Sequence, residues 1–480
     1  MKRWIFLVCL SIWVEHGFAQ RTNRPDVIII LMDDMGYGDT EPYGMTGIPT
    51  PNFNKLAAEG LRFTHYNVGQ PICTASRAAL LTGCYPNRVG MSGALLPGSK
   101  IALDPGEQTL ASILKKAGYT TAMLGKWHLG NRPPYFPLHY GFDSFYGLPW
   151  SHDIWPRDFK GNKITDTANA RYHWPELTML DGDRVVDTIK THAQQEQFTT
   201  LFTQRAVSFI KENKDHPFFL YLAHPMPHVP LAVSDKFKGK SELGLFGDVI
   251  MELDWSLGEI MKTLDDTHLA QNTILIVASD NGPWLNFGNH AGSSGGLREG
   301  KATTFEGGTR VPLLIRWPGK IAAGGINSHL MTCMDLLPTI AAATGATLPE
   351  KRIDGMNFLP ALTTGDGDGA APREVFYYYF GKNELRGIRY KNWKLVLPHT
   401  TSSYTALHGK DGIGGKIPHI PVPMALYDLA HDPGEAYDVQ QLYPEMLQKL
   451  LKIAEEARDD LGDDLTGRKG KNRRQPAFLP

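Results

Sequence analysis

Short apolar runs that break off into charged or turn-forming residues set the rhythm of this chain. Residues 27–31 read Val-Ile-Ile-Ile-Leu and run into Met32-Asp33-Asp34. Residues 120–124 lead to Gly125-Lys126-Trp127-His128, and residues 218–222 to Ala223-His224 and then Pro227-His228. Residues 273–277 lead to Ala278-Ser279-Asp280-Asn281-Gly282. Continuous β-branched and aromatic runs of this length predict strands buried on both faces. Helical patterns lie between them. One opens at Thr50-Pro51 and stops at Gly60, a favourable pair of end residues; others cover 108–116 with a stop at Gly118, 198–213 and 247–264. Alternating strands and helices predict an α/β fold with a large, mainly parallel sheet flanked by helices. In such sheets the functional site lies outside the carboxyl ends of the strands. Separate runs therefore deliver Asp, Asn, Lys and His to one edge, and this convergence says more than any single motif.

After about residue 370 the pattern changes. Residues 375–379, 386–390 and 393–397 predict a short antiparallel meander, with 426–429 adding an edge. Met446, Leu447, Leu450, Leu451, Ala454 and Ala457 mark one face of an amphipathic helix. The basic stretch 468–474 reads as a frayed, solvated tail in preference to a polyanion site. The expected organisation is a signal over 1–19, a catalytic domain over 20–370, and a small C-terminal subdomain with its basic tail over 371–480. A length of 480 residues accommodates one large and one smaller unit.

Composition narrows the function classes. The net charge is −1 and 42% of residues are hydrophobic, so no global excess of cations points to nucleic acid. Any anion recognition must be local. Lys2 and Arg3 precede an apolar core over 4–14, and Gly17-Phe18-Ala19 offers a cleavage site, which reads as a secretory signal. Glu15 and His16 cut that run short for a membrane span, so no stable membrane insertion is expected after cleavage. Outside the signal the cysteines are Cys73, Cys84 and Cys333, too few for a disulfide scaffold; whether Cys84 and Cys333 pair is left open. The sequence holds no Asn-x-Ser/Thr acceptor, which favours bacterial export, secreted or periplasmic, over a glycosylated lysosomal route.

The densest chemistry lies in residues 73–83, Cys-Thr-Ala-Ser-Arg-Ala-Ala-Leu-Leu-Thr-Gly. This places a cysteine at the mouth of a helix, Arg77 one turn on and a stop at Gly83. Backbone N–H groups and the helix dipole favour negative charge on a thiol so placed. Asp33, Asp34, Asp280 and Asn281 are hard oxygen donors at two strand ends, suited to Ca²⁺ ahead of Mg²⁺ and not to zinc.

The pattern Cys-x-(Pro/Ala)-x-Arg at Cys73–Arg77 resembles the signature of the type I sulfatases. So do Asp33-Asp34-Met35-Gly36-Tyr37-Gly38-Asp39, Gly125-Lys126-Trp127-His128-Leu129-Gly130, Ser151-His152-Asp153, Asp280-Asn281-Gly282 and residues 300–308, all in family order. The likeness is to the arylsulfatase A branch. It implies an alkaline-phosphatase-like α/β sandwich with a small C-terminal subdomain. It also implies that a formylglycine-generating maturation enzyme oxidises Cys73 to formylglycine, and that Asp33, Asp34, Asp280, Asn281 and the modified Cys73 ligate Ca²⁺. By the same resemblance Arg77 balances the acids and holds the nucleophile, Asp280 takes its proton, and His128 assists sulfate release. Lys126 and Lys301 clamp sulfate oxygens, His228 with Lys301 protonates the leaving oxygen, and Ser151 bonds near the sulfate. Ala75 stands where many members carry proline, a departure that the family's maturation pattern tolerates.

The expected activity is hydrolysis of sulfate esters, of a sulfated sugar or glycan fragment. The competing readings are a phosphodiester or phosphonate monoester hydrolase of the same superfamily, and a non-catalytic binder of sulfated glycans. Residues 155–174 and 399–420 are insertions placed to set specificity, with His152 and Trp155 as rim candidates. His224 reads equally well as a structural histidine. Gly307 and Gly308 read as serving a tight turn.

Overall fold

The computed structural model describes residues 24–364, 371–406 and 408–479; the signal segment lies outside them. The main sheet is built from β1 (Asp26–Met32), β2 (Leu61–Phe63), β3 (Thr120–Lys126), β4 (Ser144–Leu148), β5 (Leu177–Asp181), β6 (Arg184–Ile189), β7 (Phe218–Ala223), β8 (Thr273–Ser279), β9 (Leu313–Arg316) and β10 (Gly325–Asn327), in the order β10-β2-β9-β8-β1-β7-β3-β4-β5-β6. Its centre, β8-β1-β7-β3-β4, is parallel throughout. Antiparallel strands extend it on both sides.

The unbroken apolar runs follow from this burial. In β1, Val27, Ile29 and Leu31 enter one hydrophobic cluster while Ile28, Ile30 and Met32 enter the other. Helices α1 (Pro51–Glu59), α2 (Cys73–Thr82), α3 (Leu110–Lys116), α4 (Phe198–Glu212), α5 (Gly244–Asp266) and α6 (Leu336–Thr344) cover both faces. α1, α4 and α5 pack on the face of Ile28, and α2, α3 and α6 on the face of Val27. α2 stops at Gly83, which takes the left-handed conformation (φ 67°) and returns its N–H to Ala79.

The smaller sheet, β11 (Val375–Phe380), β12 (Glu384–Tyr390), β13 (Trp393–Val396) and β14 (Ala425–Asp428), is the expected antiparallel meander with its added edge. α7 (Pro444–Leu461) lays Leu450, Ala454, Ala457 and Leu461 into the same cluster as Val27. The basic tail departs from expectation. Arg468–Lys469 pairs with Gly462–Asp463, and Ala477–Phe478 pairs with Ile101–Ala102. Its cations meet acids on other elements: Arg474 sits 2.8 Å from Glu107, and Arg468 contacts Glu455 and Asp459. The tail is docked and not frayed, although most of its side chains stay exposed, and the partner that anchors Arg474, Glu107, lies far away in the chain where local composition does not reveal it.

No helix among the described residues is long and apolar enough to cross a membrane. Cys84 and Cys333 do not pair; both are free and buried. Cys333 accepts a hydrogen bond from the Gly69 N–H, and Cys84 receives one from Arg474.

Arg88 ties the two units together. It is buried, donates to both Asp354 and Asp460 at 2.6–2.7 Å, and reaches the Asn472 carbonyl. Replacing it by alanine strands two carboxylates in a poorly solvated interface. Arg88→Ala is expected to cost about 3–5 kcal/mol, read as a lowered urea midpoint; an unchanged midpoint would show that the interface does not depend on this ion pair.

Candidate active site

The central strands bring the predicted residues to one sheet edge. Asp33 and Asp34 follow β1, Lys126 ends β3, His228 lies in the loop after β7, and Asp280 and Asn281 follow β8. The backbone is bent to aim them. Asp34 and His128 both adopt positive φ (68° and 65°), an uncommon conformation for residues with a side chain. The Asp33 N–H bonds the Met226 carbonyl, and the Asp34 N–H bonds Asp280.

Cys73 is the first residue of α2 and only 3% exposed. Its sulfur lies 3.5 Å from an Asp33 oxygen and 3.4 Å from Lys301 Nζ. Arg77, one turn on, gives Nε and Nη2 to Asp280 (3.0 and 2.8 Å) and Nη1 to the Lys126 carbonyl. Lys126 Nζ contacts Asp33 at 2.5 Å and the Ser151 hydroxyl at 3.1 Å. Lys301 Nζ straddles both Asp34 oxygens at 2.6 and 2.9 Å. The three carboxylates of Asp33, Asp34 and Asp280 thus face the three cations of Arg77, Lys126 and Lys301.

Burial decides the protonation of each group. It pushes Asp33 up, but Lys126, His228 and Arg77 outweigh it and hold that carboxyl well below its ordinary range. Asp34 is pushed up to about 7 by burial, with Asp33 and Asp280 adding to the effect and Lys301 opposing it. The Cys73 thiol moves opposite to the expectation from its helix position. Burial pushes it up to about 12 despite Lys126 and Lys301, because a helix start compensates only part of the lost hydration. The residue is therefore no ordinary thiolate nucleophile.

The histidines divide by their partners. His128 Nε2 faces the Leu95 carbonyl at 2.9 Å, and a carbonyl only accepts, so that nitrogen carries the proton. Nδ1 keeps its lone pair, is buried and has no partner. Burial and then Lys126 lower His128 to about 3, so the ring is neutral. His228 Nδ1 likewise faces the Val229 carbonyl, leaving Nε2 directed toward Asp34, 3.7 Å away. Burial and Lys301 hold His228 well below its usual value. His224 is structural: its Nε2 bonds the Ser256 hydroxyl under the sheet edge.

Asp33, Asp34, Cys73 and His228 each offer a ligand atom, all within 4.8 Å of one another. Asn281 completes an oxygen-rich set. Its Nδ2 bonds Asp34, and its buried Oδ1 has no partner. An orphaned carbonyl oxygen beside two carboxylates is the donor chemistry of a hard dication. With all three carboxylates ionised the six side chains balance, so a dication holding them in that form would leave the site positive and matched to an anion.

Above this cluster lies a cavity of about 230 Å³, lined at its base by Cys73, His128, Ser151, His228 and Lys301. Several wall residues escaped the sequence reading. Trp284 stands 4.9 Å from Lys301 Nζ, three residues after the Asn281 motif. Ser402, Tyr404 and Ile417 come from the predicted insertion of the C-terminal region. The rim candidates need correction: His152 and Trp155 are both fully buried and do not line this cavity, whereas Asp153 and Ile154 between them face it. The His152 ring turns away to bond the Pro230 carbonyl.

The loop that carries Lys301 is braced from the C-terminal subdomain. Tyr404 donates to the Lys301 carbonyl, Lys394 to the Thr304 carbonyl, and the Glu306 N–H to Glu435. Lys394 bridges Glu306 and Glu435 at 3.1 and 2.7 Å. Gly307 and Gly308 serve close approach: an added Cβ would lie 2.1–2.2 Å from the carbonyls of Glu299 and Thr303.

A buried α/β edge with paired acids, paired lysines, a guanidinium and neutral histidines around a helix-start cysteine defines a hydrolase of anionic esters. Residues 25–346 match the Sulfatase family, residues 300–410 match the C-terminal region of N-sulphoglucosamine sulphohydrolase, and residues 371–477 match the C-terminal region of aryl-sulfatase. Arylsulfatase A of Homo sapiens is 38% identical over 457 residues, covering 89% of this chain and 87% of that protein. N-acetylgalactosamine-6-sulfatase of Homo sapiens is 35% identical, covering 96% and 90%. The solved PsFucS1 sulfatase from Pseudoalteromonas sp. superposes with a TM-score of 0.80 at 30% identity, covering 90% of this chain and 89% of the other. The chain belongs to the sulfatase family and is a sulfuric ester hydrolase.

Glu435 supplies a pH test of the brace. Burial and then Glu306 raise it to about 7 against Lys394, while Glu306, surrounded by Lys394, Arg389 and Arg310, is held down to about 2 despite its burial. A free glutamate titrates near ~4.3. Between those values the folded chain keeps a proton that the unfolded chain has lost. Stability due to Glu435 is therefore present below that window and declines as pH rises through about 7. Glu435→Gln is expected to flatten the dependence of the urea midpoint on pH between about 5 and 7.5. An identical slope in the variant would remove Glu435 as its source.

Proposed function

We propose that this chain is an exported, calcium-dependent sulfatase acting on a sulfated sugar or glycan fragment, with formylglycine made from Cys73 as its nucleophile. The observation that carries the reading is Cys73 at the start of α2, at the base of the cavity and 3.4–3.5 Å from Lys301 and Asp33. A proximal cysteine with its thiol held protonated suits a precursor better than a working thiolate. Once hydrated, formylglycine would supply one hydroxyl that displaces the ester's alcohol from sulfur, and a second whose deprotonation expels sulfate and restores the aldehyde. Asp33, Asp34, Asp280, Asn281 and the modified Cys73 would hold Ca²⁺, which supplies a Lewis acid for the sulfate oxygens.

The chain's own groups take the remaining tasks. Asp280, already gripped by Arg77, receives a proton at its carboxylate. His128 offers its unpartnered Nδ1 lone pair as a base. Lys126 and Lys301 turn from Asp33 and Asp34 toward sulfate oxygens, giving fixed positive charge in a poorly solvated site. Ser151, bonded to Lys126, positions that ammonium. His228 Nε2 faces the cavity and serves the leaving oxygen once protonated. Relatives named for sugar sulfates, such as N-acetylgalactosamine-6-sulfatase, and a cavity with an aromatic wall support a sugar substrate. Residues 1–19 serve as the export signal in this reading, with residues 20–370 and 371–480 as the two units of the mature enzyme.

The deciding experiment is sulfate release from a panel of sulfated mono- and oligosaccharides and an aryl sulfate. Enzyme is produced with the maturation system and run beside Cys73→Ala. Release from one sugar regioisomer that vanishes in the variant is expected. Turnover retained by Cys73→Ala would end the formylglycine reading, and faster turnover of phosphodiesters than of any sulfate would end the substrate reading.

The metal assignment is checked without turnover. Chelated protein should melt at lower temperature and recover on adding Ca²⁺. Asn281→Leu should bind Ca²⁺ roughly 10–100-fold more weakly by equilibrium dialysis. Equal binding in the variant would take Asn281 out of the ligand set.

A further inference from the structure

An anion-binding cavity has little use for a carboxylate, yet one lines it. Among the described residues, Asp153 is the only acid that faces the cavity. The wall it shares combines Ser151, whose hydroxyl bonds it, and His228 with the apolar and aromatic Ile154, Trp284, Tyr404 and Ile417. The side chain is built in. Oδ2 lies 3.2 Å from Arg171 Nη2, and Arg171 also donates to the Asp153 backbone carbonyl. Arg171 is itself clamped between the rings of Phe159 and Trp174, 4.4 and 4.5 Å from its guanidinium carbon. Both rings and the arginine belong to the 155–174 insertion, so that segment exists in part to hold one carboxylate at the cavity wall.

We propose that Asp153, held by Arg171, is a specificity-determining residue: it accepts a hydrogen bond from a free hydroxyl of the sulfated sugar and rejects sugars that carry a carboxylate or a second sulfate there. The inference rests on the sulfated-sugar reading. An ionised carboxylate only accepts hydrogen bonds, and sugar hydroxyls are the donors that a sulfated sugar brings. The same charge repels a second anionic group at close range in a poorly solvated space. Burial pushes the Asp153 carboxyl up, but the Arg171 guanidinium 3.2 Å away, with His228 adding whenever that ring is protonated, holds it well below the ordinary range, so it is charged. About 230 Å³ gives room for a sulfate and one sugar ring, which places such a hydroxyl on the same ring as the ester. The competing role for the acid is to stabilise the protonated form of His228, whose charge it feels.

The test compares wild type, Asp153→Asn and Arg171→Met on three probes: 4-nitrophenyl sulfate, the best monosulfated monosaccharide, and its disulfated counterpart. Asp153→Asn is expected to lower the ratio of sugar to aryl sulfate kcat/KM by about 10–100-fold, chiefly through KM, as loss of a hydrogen bond to a charged group does. It should also narrow the discrimination against the disulfated sugar by a similar factor. Arg171→Met, which frees the carboxylate without removing it, should lower the ratio by a smaller factor. An unchanged ratio overturns the proposal. So does an equal fall on sugar and aryl sulfate with a displaced pH profile, which would assign Asp153 to His228. Wild type that cleaves the aryl sulfate and no sugar would instead fail the sulfated-sugar reading, a result distinct from either.

Discussion

Three buried carboxylates and three buried cations at one sheet edge are the constraint on which this molecule turns. Asp33, Asp34 and Asp280 would be untenable in that setting alone, since burying a charge without partners costs several kcal/mol. Arg77, Lys126 and Lys301 balance them at 2.5–2.8 Å. The balance explains why the site needs the whole central sheet. Asp33 and Asp34 arrive at the end of β1, Asp280 after β8, Lys126 at the end of β3, Arg77 from α2 and Lys301 from a loop, and no two neighbouring elements could supply the set. It also explains why the cluster can change partners. A dication taking over the acids would free two ammonium groups to face an anion and would leave the site with a net positive charge for that anion to balance.

The C-terminal subdomain belongs to this economy. Its Lys394 and Glu435 grip the loop that carries Lys301, while Tyr404 holds the Lys301 backbone. A lysine on a long loop would otherwise sample many positions. Here its main chain is bonded from two directions, so the ammonium is the part left to move. Arg88 on the catalytic side and the clasp of the basic tail keep the subdomain seated. The same subdomain contributes Ser402, Tyr404 and Ile417 to the cavity wall. Reaction geometry and cavity shape therefore share one interface.

Much of the site was legible in the chain because its signals are local. Asp33-Asp34, Lys126 and Asp280-Asn281 each terminate a run of buried residues, and the run itself announces the strand. The cysteine motif lies on one helix whose glycine stop is as marked as its start. The ionisation of Cys73 was not legible. Position at a helix start argued for charge, whereas burial, a property of the assembled core, prevailed. The rim is not legible in the chain for a related reason. Alternation along Ser151-His152-Asp153-Ile154-Trp155 does not say which side chains turn inward, and the partners that decide it, Pro230 and Arg171, lie on other segments.

The sequence by itself determined the alternating α/β frame, the antiparallel C-terminal meander and the residues that gather at the strand ends. Run length, helix stops and polar breaks are properties of neighbours in the chain. Only the tertiary structure decided that Asp153 lines the cavity while His152 and Trp155 are buried, that Cys84 and Cys333 stay apart, and that the basic tail is docked. Those outcomes depend on charges and packing surfaces contributed by residues far apart in the chain, such as Arg474 with Glu107 and Arg88 with Asp460. Such pairs leave no trace in local periodicity, because the energy that selects them exists only once the core has excluded water.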